Sequence, residues 1–375
     1  MNSRPIFLTI NKMYFPEIGG VESVAKVIAE IAARRGYDSY VITFSRSKHT
    51  SKENINGVHV IRCASIFCKD PIRISLKFIR CYEEFSKKSS IEIFHFPSGF
   101  PELICKKSKT NTKKYVFYHA DVVSRNIKGY LFNYMVASPF LSTAGKIIAT
   151  SPQMLRTSPL LNQFQNKSTI IPLFVDDKLF TPYGEFFDFT DYGLRVSSNM
   201  KLVLYVGRFG RYKGLEYLVK AFNLLPKQYL LILVGDGPLK PFIQKLIKHY
   251  DLNNRVFMLP HLKYFDLAKL YRTVDVFVLP SIDRGEAFGL VALEAMASGV
   301  PVITTILGTG TTFHNLHNKT GLHVPPMNSE ALAEAIMKII DENWKVSHHD
   351  VILKRAKEFS LNKFEKRILN TIFKI

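Results

Sequence analysis

The 375-residue sequence is poor in cysteine and offers no long apolar segment for a membrane. Its four cysteines form no Cys-x-x-Cys pair, which argues against a zinc knuckle or a disulfide-stabilised scaffold. The uncharged stretch at residues 129–145 contains asparagine, proline, serine and threonine, whereas a spanning helix needs about 20 mostly apolar residues. The apolar run Ile6–Ile10 is too short for the core of a signal peptide. We therefore expect a cytosolic chain without a membrane-spanning helix.

Acidic residues are also scarce relative to basic ones. The 51 lysines and arginines exceed the 31 aspartates and glutamates, so the net charge is +20. The excess occurs in both halves and is dense in residues 69–128, which hold 13 basic and 6 acidic side chains. Such a surface attracts nucleic acid, an anionic membrane or phosphorylated substrates, although it is also typical of an ordinary solvated surface. No RRM, KH, zinc-finger or helix-turn-helix pattern occurs, so we expect no nucleic-acid partner.

Apolar strand-like runs alternate with amphipathic helical runs along the chain. The first half begins with a strand at Pro5–Ile10 and a helix at Val21–Arg35. An irregular stretch begins at residues 172–184, and the alternation then resumes from Leu202–Val206 to a helix at Ser329–Asp341. Strands that alternate with helices form βαβ units and parallel sheets. The sequence therefore predicts an α/β protein with two doubly wound, Rossmann-like parallel-sheet domains that face a cleft.

The domain boundaries follow from the irregular stretch. We predict an N-terminal domain at residues 1–184 and a C-terminal domain at residues 185–355. Residues 356–375 are expected to form a C-terminal helix that packs back on the N-terminal domain.

The first motif with chemical content is Gly207–Gly214, between a predicted strand and a predicted helix. Its glycines allow a sharp turn and a close approach to a ligand, and Arg208 and Lys213 add two cations above a helix N-terminus. These features indicate a diphosphate site. The motif is not a P-loop, since GxxxxGK[ST] is absent. The alternative interpretation is an ordinary basic loop.

The second motif extends from Pro280 to Ile303 and contains two glutamates eight residues apart. Glu286 follows a predicted strand, and Glu294 lies on the next helix among apolar residues that need burial. Carboxylates are costly in such a setting unless they bind something. Glu294 suits vicinal sugar hydroxyls, as acidic residues bind ribose in dinucleotide folds. The amides of residues 288–290, where the helix starts, could bind phosphate oxygens.

Together the two motifs resemble the retaining glycosyltransferases of family 4, which have the GT-B fold. The shared pattern is G-R-x(4)-K-G followed about 70 residues later by E-x7-E. The resemblance covers nearly the whole chain and is nearest to the O-antigen and capsule mannosyltransferases. The further sequences that fit this branch are Tyr118-His119-Ala120-Asp121, Glu286-Ala287-Phe288-Gly289, Gly308–Phe313, Lys319–Leu322 and Val324–Pro326.

The resemblance implies a role for each matching residue. Arg208 and Lys213 would hold the donor diphosphate and stabilise the leaving group. Glu294 would bind the ribose hydroxyls, and Glu286 would contact the hydroxyls of the donor sugar. His119 would help to orient that sugar. Arg208, Lys213, Glu286 and His119 are thus the expected catalytic residues.

The remaining expected contacts include two places where the chain departs from the family pattern. Gly19 and Gly20 would let the first helix meet phosphate or acceptor, and Asp121 would contact the acceptor. The family usually has a glycine near His261 and Leu262, whose backbone would hold the base, and Ala287 replaces a common glycine. The donor-binding residues expected from the sequence are Gly20, Arg208, Lys213, His261, Leu262, Glu286, Phe288, Gly289, Leu290 and Glu294.

By resemblance, the chain is expected to move a hexose from a nucleotide diphosphate sugar to a polyprenyl-diphosphate-linked saccharide in surface polysaccharide synthesis. Mannose from GDP-mannose is favoured, and a UDP-sugar is the other donor considered. No Asp-x-Asp motif occurs and Arg208 and Lys213 supply two charges, so we expect no metal and no cofactor. A nucleotide-sugar 2-epimerase of the same fold and a non-catalytic nucleotide-sugar-binding subunit are the alternatives.

A basic amphipathic segment at Ile72–Tyr82 suggests where the chain meets a membrane. Ile72, Leu76, Phe78 and Ile79 can share one helical face. A basic amphipathic helix can lie on an anionic membrane surface, so we expect a peripheral enzyme at the inner face of the cytoplasmic membrane. The alternative is a domain helix with its apolar face in the core.

Overall fold

The chain forms two compact units. In this computed structural model, the first unit contains Met1–Pro172 and Glu365–Ile375, and the second contains Leu173–Phe364. The described residues are 4–17, 19–69, 72–105, 112–122 and 127–374.

These unit bounds differ from the predicted domain bounds at residues 184 and 355. Residues 173–184 pack within the second unit, where Nη1 of Arg272 donates a hydrogen bond to the Thr181 carbonyl at 3.2 Å. The Phe359 carbonyl accepts a hydrogen bond from the Val175 amide in the same unit. Residues 173–184 and the segment around Phe359 are therefore parts of the second unit.

The first unit is built on an eight-stranded sheet. Its strands are β1 (Ile6–Ile10), β2 (Asp38–Phe44), β3 (Ser51–Ile55), β4 (Val58–Cys63), β7 (Ser89–Phe96), β8 (Lys113–Tyr118), β9 (Lys146–Ala149) and β10 (Ser168–Ile170), and a separate hairpin contains β5 (Phe67–Lys69) and β6 (Ile72–Ile74). The large sheet has the order β10-β9-β8-β7-β1-β2-β4-β3. All its neighbours pair in parallel except β3, which is antiparallel to β4.

Short helices accompany this sheet. They are α1 (Gly20–Arg34), α2 (Leu76–Ser86), α3 (Phe100–Ile104), α4 (Ile127–Phe132), α5 (Ser138–Ser142) and α6 (Pro152–Thr157), with a π-helical turn at Asn133–Ala137 and a 3-10 segment at Leu161–Lys167. The apolar residues of α1 recur at helical spacing, and Val24, Ala25, Ile28 and Ala29 are buried.

The segment Ile72–Tyr82 is not one helix, so that prediction was wrong. Its first three residues form β6, and Ser75 caps α2 by accepting a hydrogen bond from the Phe78 amide at 3.0 Å. Arg73 is buried, as are Phe78 and Tyr82. The segment therefore gives Phe78 and Tyr82 to the core, whereas Leu76, Lys77 and Arg80 of α2 are exposed at the surface.

The second unit is built on a six-stranded sheet in which every pair is parallel. Its strands are β11 (Lys201–Val206), β12 (Tyr229–Val234), β13 (Val256–Leu259), β14 (Val276–Leu279), β15 (Val302–Thr305) and β16 (Gly321–Val324). Their order is β13-β12-β11-β14-β15-β16, which is the 3-2-1-4-5-6 order of dinucleotide-binding domains. The prediction of two doubly wound parallel sheets is confirmed.

Helices flank the second sheet and continue to the end of the chain. They are α7 (Leu215–Leu224), α8 (Lys240–His249), α9 (Tyr264–Thr273), α10 (Leu290–Ala297), α11 (Thr311–His314), α12 (Ser329–Asp341), α13 (Trp344–Ser347), α14 (His349–Lys357) and α15 (Leu361–Ile368), with 3-10 turns at Thr190–Tyr192 and Arg211–Lys213 and a π-helical end at Leu369–Phe373. Among the described residues, none of the helices combines the length and apolarity needed to cross a bilayer.

Candidate active site

Both sequence motifs lie at the point where the strand order of the second sheet reverses. Strand β11 is followed by residues 207–214, and its neighbour β14 is followed by residues 280–289. In parallel sheets, ligands bind beyond the carboxyl ends of strands at such a switch point. The topology therefore brings the basic loop and the glutamate loop to one location, as the ligand interpretation of each motif requires.

Gly214 allows these two loops to meet. Its φ is +64°, in the left-handed region that favours glycine, and a Cβ there would collide with the Pro280 carbonyl oxygen. The neighbouring Ile282 amide donates a hydrogen bond to the Tyr212 carbonyl at 2.8 Å. The two loops are thus joined directly through their backbones.

A third loop supports the basic one. Residues 235–238 follow β12, and the Asp236 carbonyl accepts a hydrogen bond from the Phe209 amide at 2.8 Å. Gly237 has φ +157°, and a Cβ there would lie 2.7 Å from the Phe209 oxygen. This loop therefore fixes the shape of residues 207–210.

The charged centre of the site is a buried ion pair. Nζ of Lys213 lies 2.5 Å from Oε2 of Glu286, and the same oxygen accepts a hydrogen bond from Oγ of Ser281 at 3.0 Å. Lys213 and Glu286 are each 7% exposed. Burial lowers the pKa of Lys213, but the Glu286 carboxylate and Tyr212 raise it by more, so the net pKa is raised. Lys213 is therefore a cation that is held in place.

Arg208 differs from Lys213 in exposure. Its side chain is exposed on the loop after β11, and its guanidinium has no hydrogen-bond or ion-pair partner among the described residues. The site therefore presents one cation that is already paired and one that is available to an incoming anion.

Threonines of the β15 region hold the glutamate loop. Oγ1 of Thr305 donates to the Ser281 carbonyl at 2.5 Å, and Oγ1 of Thr309 donates to the Glu286 carbonyl at 2.8 Å. All four residues are buried. Sequence reasoning missed Ser281 and Thr309 as supports for Glu286, although Thr309 lies in the family-like segment Gly308–Phe313.

Helix α10 begins at the glutamate loop with an open N-terminus. Its N-cap, Gly289, has φ +76°, and a Cβ there would lie 2.6 Å from Cδ2 of Leu279. No side chain caps the helix, so its first amides are left for water or a ligand. The preceding Phe288 is buried, and its carbonyl accepts a hydrogen bond from Nε2 of His314 at 2.7 Å. Leu290 is half-buried.

Glu294 lies further along α10 and is held by a tyrosine that sequence reasoning missed. The Tyr271 hydroxyl donates to Oε2 of Glu294 at 3.1 Å. Burial raises the pKa of Glu294 to about 7, against the opposing effect of the Tyr271 hydrogen bond. A carboxyl group in this state exchanges its proton near neutral pH and can accept hydrogen bonds from hydroxyls once ionised.

The expected base contacts follow β13, the edge strand of the sheet. His261 is exposed and Leu262 is buried. In the sheet order, β12 separates β13 from β11. A role of their backbone in holding the base stays a prediction.

In the first unit, His119 follows β8 and is hydrogen-bonded to a second histidine. Its Nε2 lies 2.8 Å from Nδ1 of His95, near the end of β7. Burial lowers the pKa of His95 to about 3, and burial and His95 hold the pKa of His119 well below its usual range. Sequence reasoning missed His95. The available signal was its place in the last two residues of a strand, where parallel sheets present side chains to ligands.

The other candidates of the first unit have protein partners. Asp121 accepts hydrogen bonds from the Tyr118 hydroxyl, at 2.7 Å, and from the Ser158 hydroxyl. Gly19 caps α1 with extended backbone, and a Cβ there would collide with Oε2 of Glu22. Gly20, the first residue of α1, is exposed. The buried Glu22 carboxylate thus lies at the helix start to which the sequence assigned phosphate or acceptor.

Solved structures establish the class of fold. Sucrose-phosphate synthase from Thermosynechococcus elongatus matches with a TM-score of 0.80 and 25% identity, over 99% of this chain and 98% of that one. WaaG, a glycosyltransferase involved in lipopolysaccharide biosynthesis, matches with a TM-score of 0.73 and 17% identity, over 98% and 99%. The fold is that of a GT-B enzyme.

Sequence comparison then establishes the family. Residues 191–359 match Glycosyl transferases group 1, and residues 18–179 match Glycosyltransferase Family 4. O-antigen chain mannosyltransferase C of Escherichia coli is 30% identical over 96% of this chain and 93% of its own. D-rhamnosyltransferase WbpZ of Pseudomonas aeruginosa is 30% identical over 87% and 84%. The chain belongs to family 4 and is a glycosyltransferase.

Proposed function

We propose that the enzyme moves a hexose, with mannose favoured, from a nucleotide diphosphate sugar to a lipid-linked saccharide in O-antigen or capsule synthesis, with retention of configuration. The observation that carries this proposal is the buried Lys213–Glu286 pair at the switch point of the second sheet. The relatives named for mannose and D-rhamnose transfer support the choice of sugar. D-rhamnose is 6-deoxy-D-mannose, so both names point to a donor of manno configuration, and GDP is the favoured carrier.

The diphosphate is assigned to the cations and to α10. Arg208 is available to an anion, Lys213 is a permanently charged neighbour, and the first amides of α10 are open. Positive charge and a helix N-terminus both favour a diphosphate, and they favour it more as the leaving group gains charge. This is why transition-state stabilisation is assigned to these groups and no metal ion is invoked.

The two glutamates are assigned to the two ends of the donor. Glu294 accepts hydrogen bonds from the ribose hydroxyls, and Glu286 contacts the hydroxyls of the transferred sugar. Glu286 is hydrogen-bonded to Lys213, so the residue assigned to the transferred sugar is joined directly to one assigned to the diphosphate. His119 orients the sugar, and Gly19, Gly20 and Asp121 are assigned to the acceptor side.

Transfer needs no dedicated base in this scheme. The bond between the anomeric carbon and the diphosphate oxygen breaks, and the acceptor oxygen forms its bond on the same face. A leaving phosphate oxygen takes the proton of the acceptor hydroxyl. The products are the extended saccharide and a nucleoside diphosphate, and every proton is accounted for.

A different segment from the one expected supports contact with an anionic membrane. Tyr130, Leu131, Tyr134 and Met135 are exposed on successive turns of the helical stretch formed by α4 and the following π-helical turn. Amphipathic tyrosines suit the membrane interface, and the net charge of +20 favours an anionic leaflet. We place the enzyme at the inner face of the cytoplasmic membrane through this surface.

Flotation with liposomes tests the membrane surface. Tyr130→Ser combined with Tyr134→Ser should reduce binding to anionic vesicles several-fold, while Tyr183→Ser, at a position equally exposed in the second unit, should not. Equal binding by all three proteins would remove this surface from the proposal. Binding that does not weaken with salt would remove the electrostatic contribution.

Product analysis tests the reaction itself. The purified enzyme is incubated with GDP-mannose, GDP-D-rhamnose or a UDP-sugar, with and without a polyprenyl-diphosphate-linked saccharide. Acceptor-dependent release of nucleoside diphosphate and a glycosidic product of the donor's anomeric configuration are expected. An epimerised sugar formed without acceptor would establish the epimerase instead. Tight donor binding with no conversion in either arm would indicate a non-catalytic subunit.

A further inference from the structure

Three aromatic rings are stacked where β7 and β8 end in the first unit. His95 pairs with Phe117 across the two parallel strands, and His119 lies two residues beyond Phe117. The ring centroids of His95 and His119 are 5.1 Å apart, and those of Phe117 and His119 are 4.7 Å apart. The stack leaves His95 1% and His119 4% exposed. Little freedom remains for either imidazole to rotate.

The two imidazoles are joined by one hydrogen bond, which uses one ring nitrogen of each. The second ring nitrogen of each histidine takes no part in this bond. The bond joins Nδ1 of His95 to Nε2 of His119 at 2.8 Å. Burial keeps both pKa values low, so at neutral pH both rings are neutral and one proton lies in the bond. Nε2 of His95 and Nδ1 of His119 are buried and have no partner among the described residues. A buried polar atom without a partner is costly and calls for an explanation, of which a catalytic role is one.

We propose that His95 is a positioning residue that occupies Nε2 of His119 and thereby presents Nδ1 of His119 to a saccharide hydroxyl. The proposal rests on the function proposed above. A hydroxyl both donates and accepts, so it can pair with Nδ1 whichever of the two histidines supplies the shared proton. A phosphate oxygen only accepts, and it would gain no charge attraction from a neutral pair. Nδ1 of His119 therefore suits a hydroxyl on the uncharged saccharide part of a substrate.

Two substitutions of His119 distinguish its nitrogens. His119→Asn places an amide near the position of Nδ1 and gives up the contact with His95. His119→Gln reaches the position of Nε2 and gives up the group that faces the ligand. We expect the asparagine variant to retain about tenfold more kcat/KM than the glutamine variant, as for one hydrogen bond. Equal losses in the two variants would overturn the assignment of Nδ1.

Two substitutions of His95 test its role. His95→Asn can still bond to Nε2 of His119, whereas His95→Leu cannot. The asparagine variant should recover most of the turnover that the leucine variant loses. The affinity of both for a free nucleoside diphosphate should match the wild type, because that ligand lacks the transferred hexose. A parallel fall in nucleoside diphosphate affinity and turnover would show a structural role only and would overturn the proposal.

Nitrogen NMR of the histidine side chains separates this proposal from the proposed function. In wild-type enzyme, the binding of a nucleotide sugar or, in a second arm, of the saccharide acceptor should shift Nδ1 of His119 and leave its Nε2 unchanged. The arm that produces the shift identifies the hydroxyl's source. A bound sugar that leaves Nδ1 unchanged in both arms would overturn the proposal, even if transfer occurs. Absence of transfer with a clear Nδ1 shift would overturn the function alone.

Discussion

The two units share a parallel sheet but present different chemistry at their strand ends. The second unit places an exposed Arg208 and a buried Lys213–Glu286 pair after β11 and β14. The first places a neutral, stacked histidine pair after β7 and β8. Charge at a switch point suits a diphosphate that gains charge as it leaves, whereas neutral rings suit sugar hydroxyls. We therefore expect the same architecture to serve two recognition tasks through a few side chains.

The strongest test of this contrast removes the cation of the second unit. Lys213→Met leaves the Glu286 carboxylate buried without its partner, which typically costs about 3–5 kcal/mol of folding stability. Loss of charge stabilisation should also lower kcat by about 100- to 1000-fold. Thermal unfolding and steady-state kinetics check the two effects.

The double variant Lys213→Met with Glu286→Gln is the control. It should recover much of the stability, because no unpaired charge stays buried, while activity stays low. A single Lys213→Met variant with normal turnover would contradict the proposed role of the charged site.

The next test separates the two glutamates. Glu294→Ala should mainly weaken donor and nucleoside diphosphate binding, because the ribose is held equally in ground and transition states. Glu286→Ala should mainly lower turnover, and it should leave nucleoside diphosphate affinity nearly intact because that ligand lacks the transferred hexose. Each loss should be about tenfold to 150-fold, the worth of a charge-assisted hydrogen bond.

Calorimetry with nucleoside diphosphate, beside steady-state kinetics, measures both constants. In the Glu286→Ala variant Lys213 also loses its partner and becomes available to the diphosphate, so any change in nucleoside diphosphate affinity should be a gain and not a loss. Equal losses of nucleoside diphosphate affinity in the two variants would place both carboxylates on the nucleotide.

A smaller effect is expected from pH. The pKa of Glu294 is raised to about 7 by burial, so its carboxyl group is protonated on acidification from neutral pH. The ionised form is the one assigned to the ribose, and nucleotide affinity should therefore fall below pH 7, by at most about tenfold per pH unit. The Glu294→Gln variant serves as the reference. Its glutamine does not titrate, so the pH dependence of its nucleotide affinity comes only from the ligand and from other residues. If nucleotide affinity had the same pH dependence in the wild type and in the variant, Glu294 would not be the group that binds the ribose.

The smallest expected effect is that of a chelator. If Arg208, Lys213 and α10 stabilise the diphosphate, activity in excess EDTA should equal activity in buffer. Loss of activity that manganese or magnesium restores would mean that the protein's own cations are insufficient, and it would weaken the contrast between the two units.

Much of the fold could be predicted because its strands are buried on both faces. Strand Tyr229–Val234, for example, is wholly apolar and entirely buried. The elements that were missed lack this signal. Strand β3 reads Ser-Lys-Glu-Asn-Ile and is almost fully exposed, so its pairing with β4 depends on the neighbouring strand. Residues Ile72–Ile74 resemble a helix face locally, but they pair with β5 in the folded chain.

The sequence by itself determined the family and the two parallel sheets, and it singled out Arg208, Lys213, Glu286 and Glu294 as candidate site residues, because their spacing and their flanking strands are local features. The tertiary structure alone decided which side chains meet. Lys213 and Glu286 are 73 residues apart and His95 and His119 are 24 apart, and each pair meets because neighbouring parallel strands end side by side. Tyr271 likewise reaches Glu294 from another helix. Pairings of this kind arise from strand order, which no local pattern encodes.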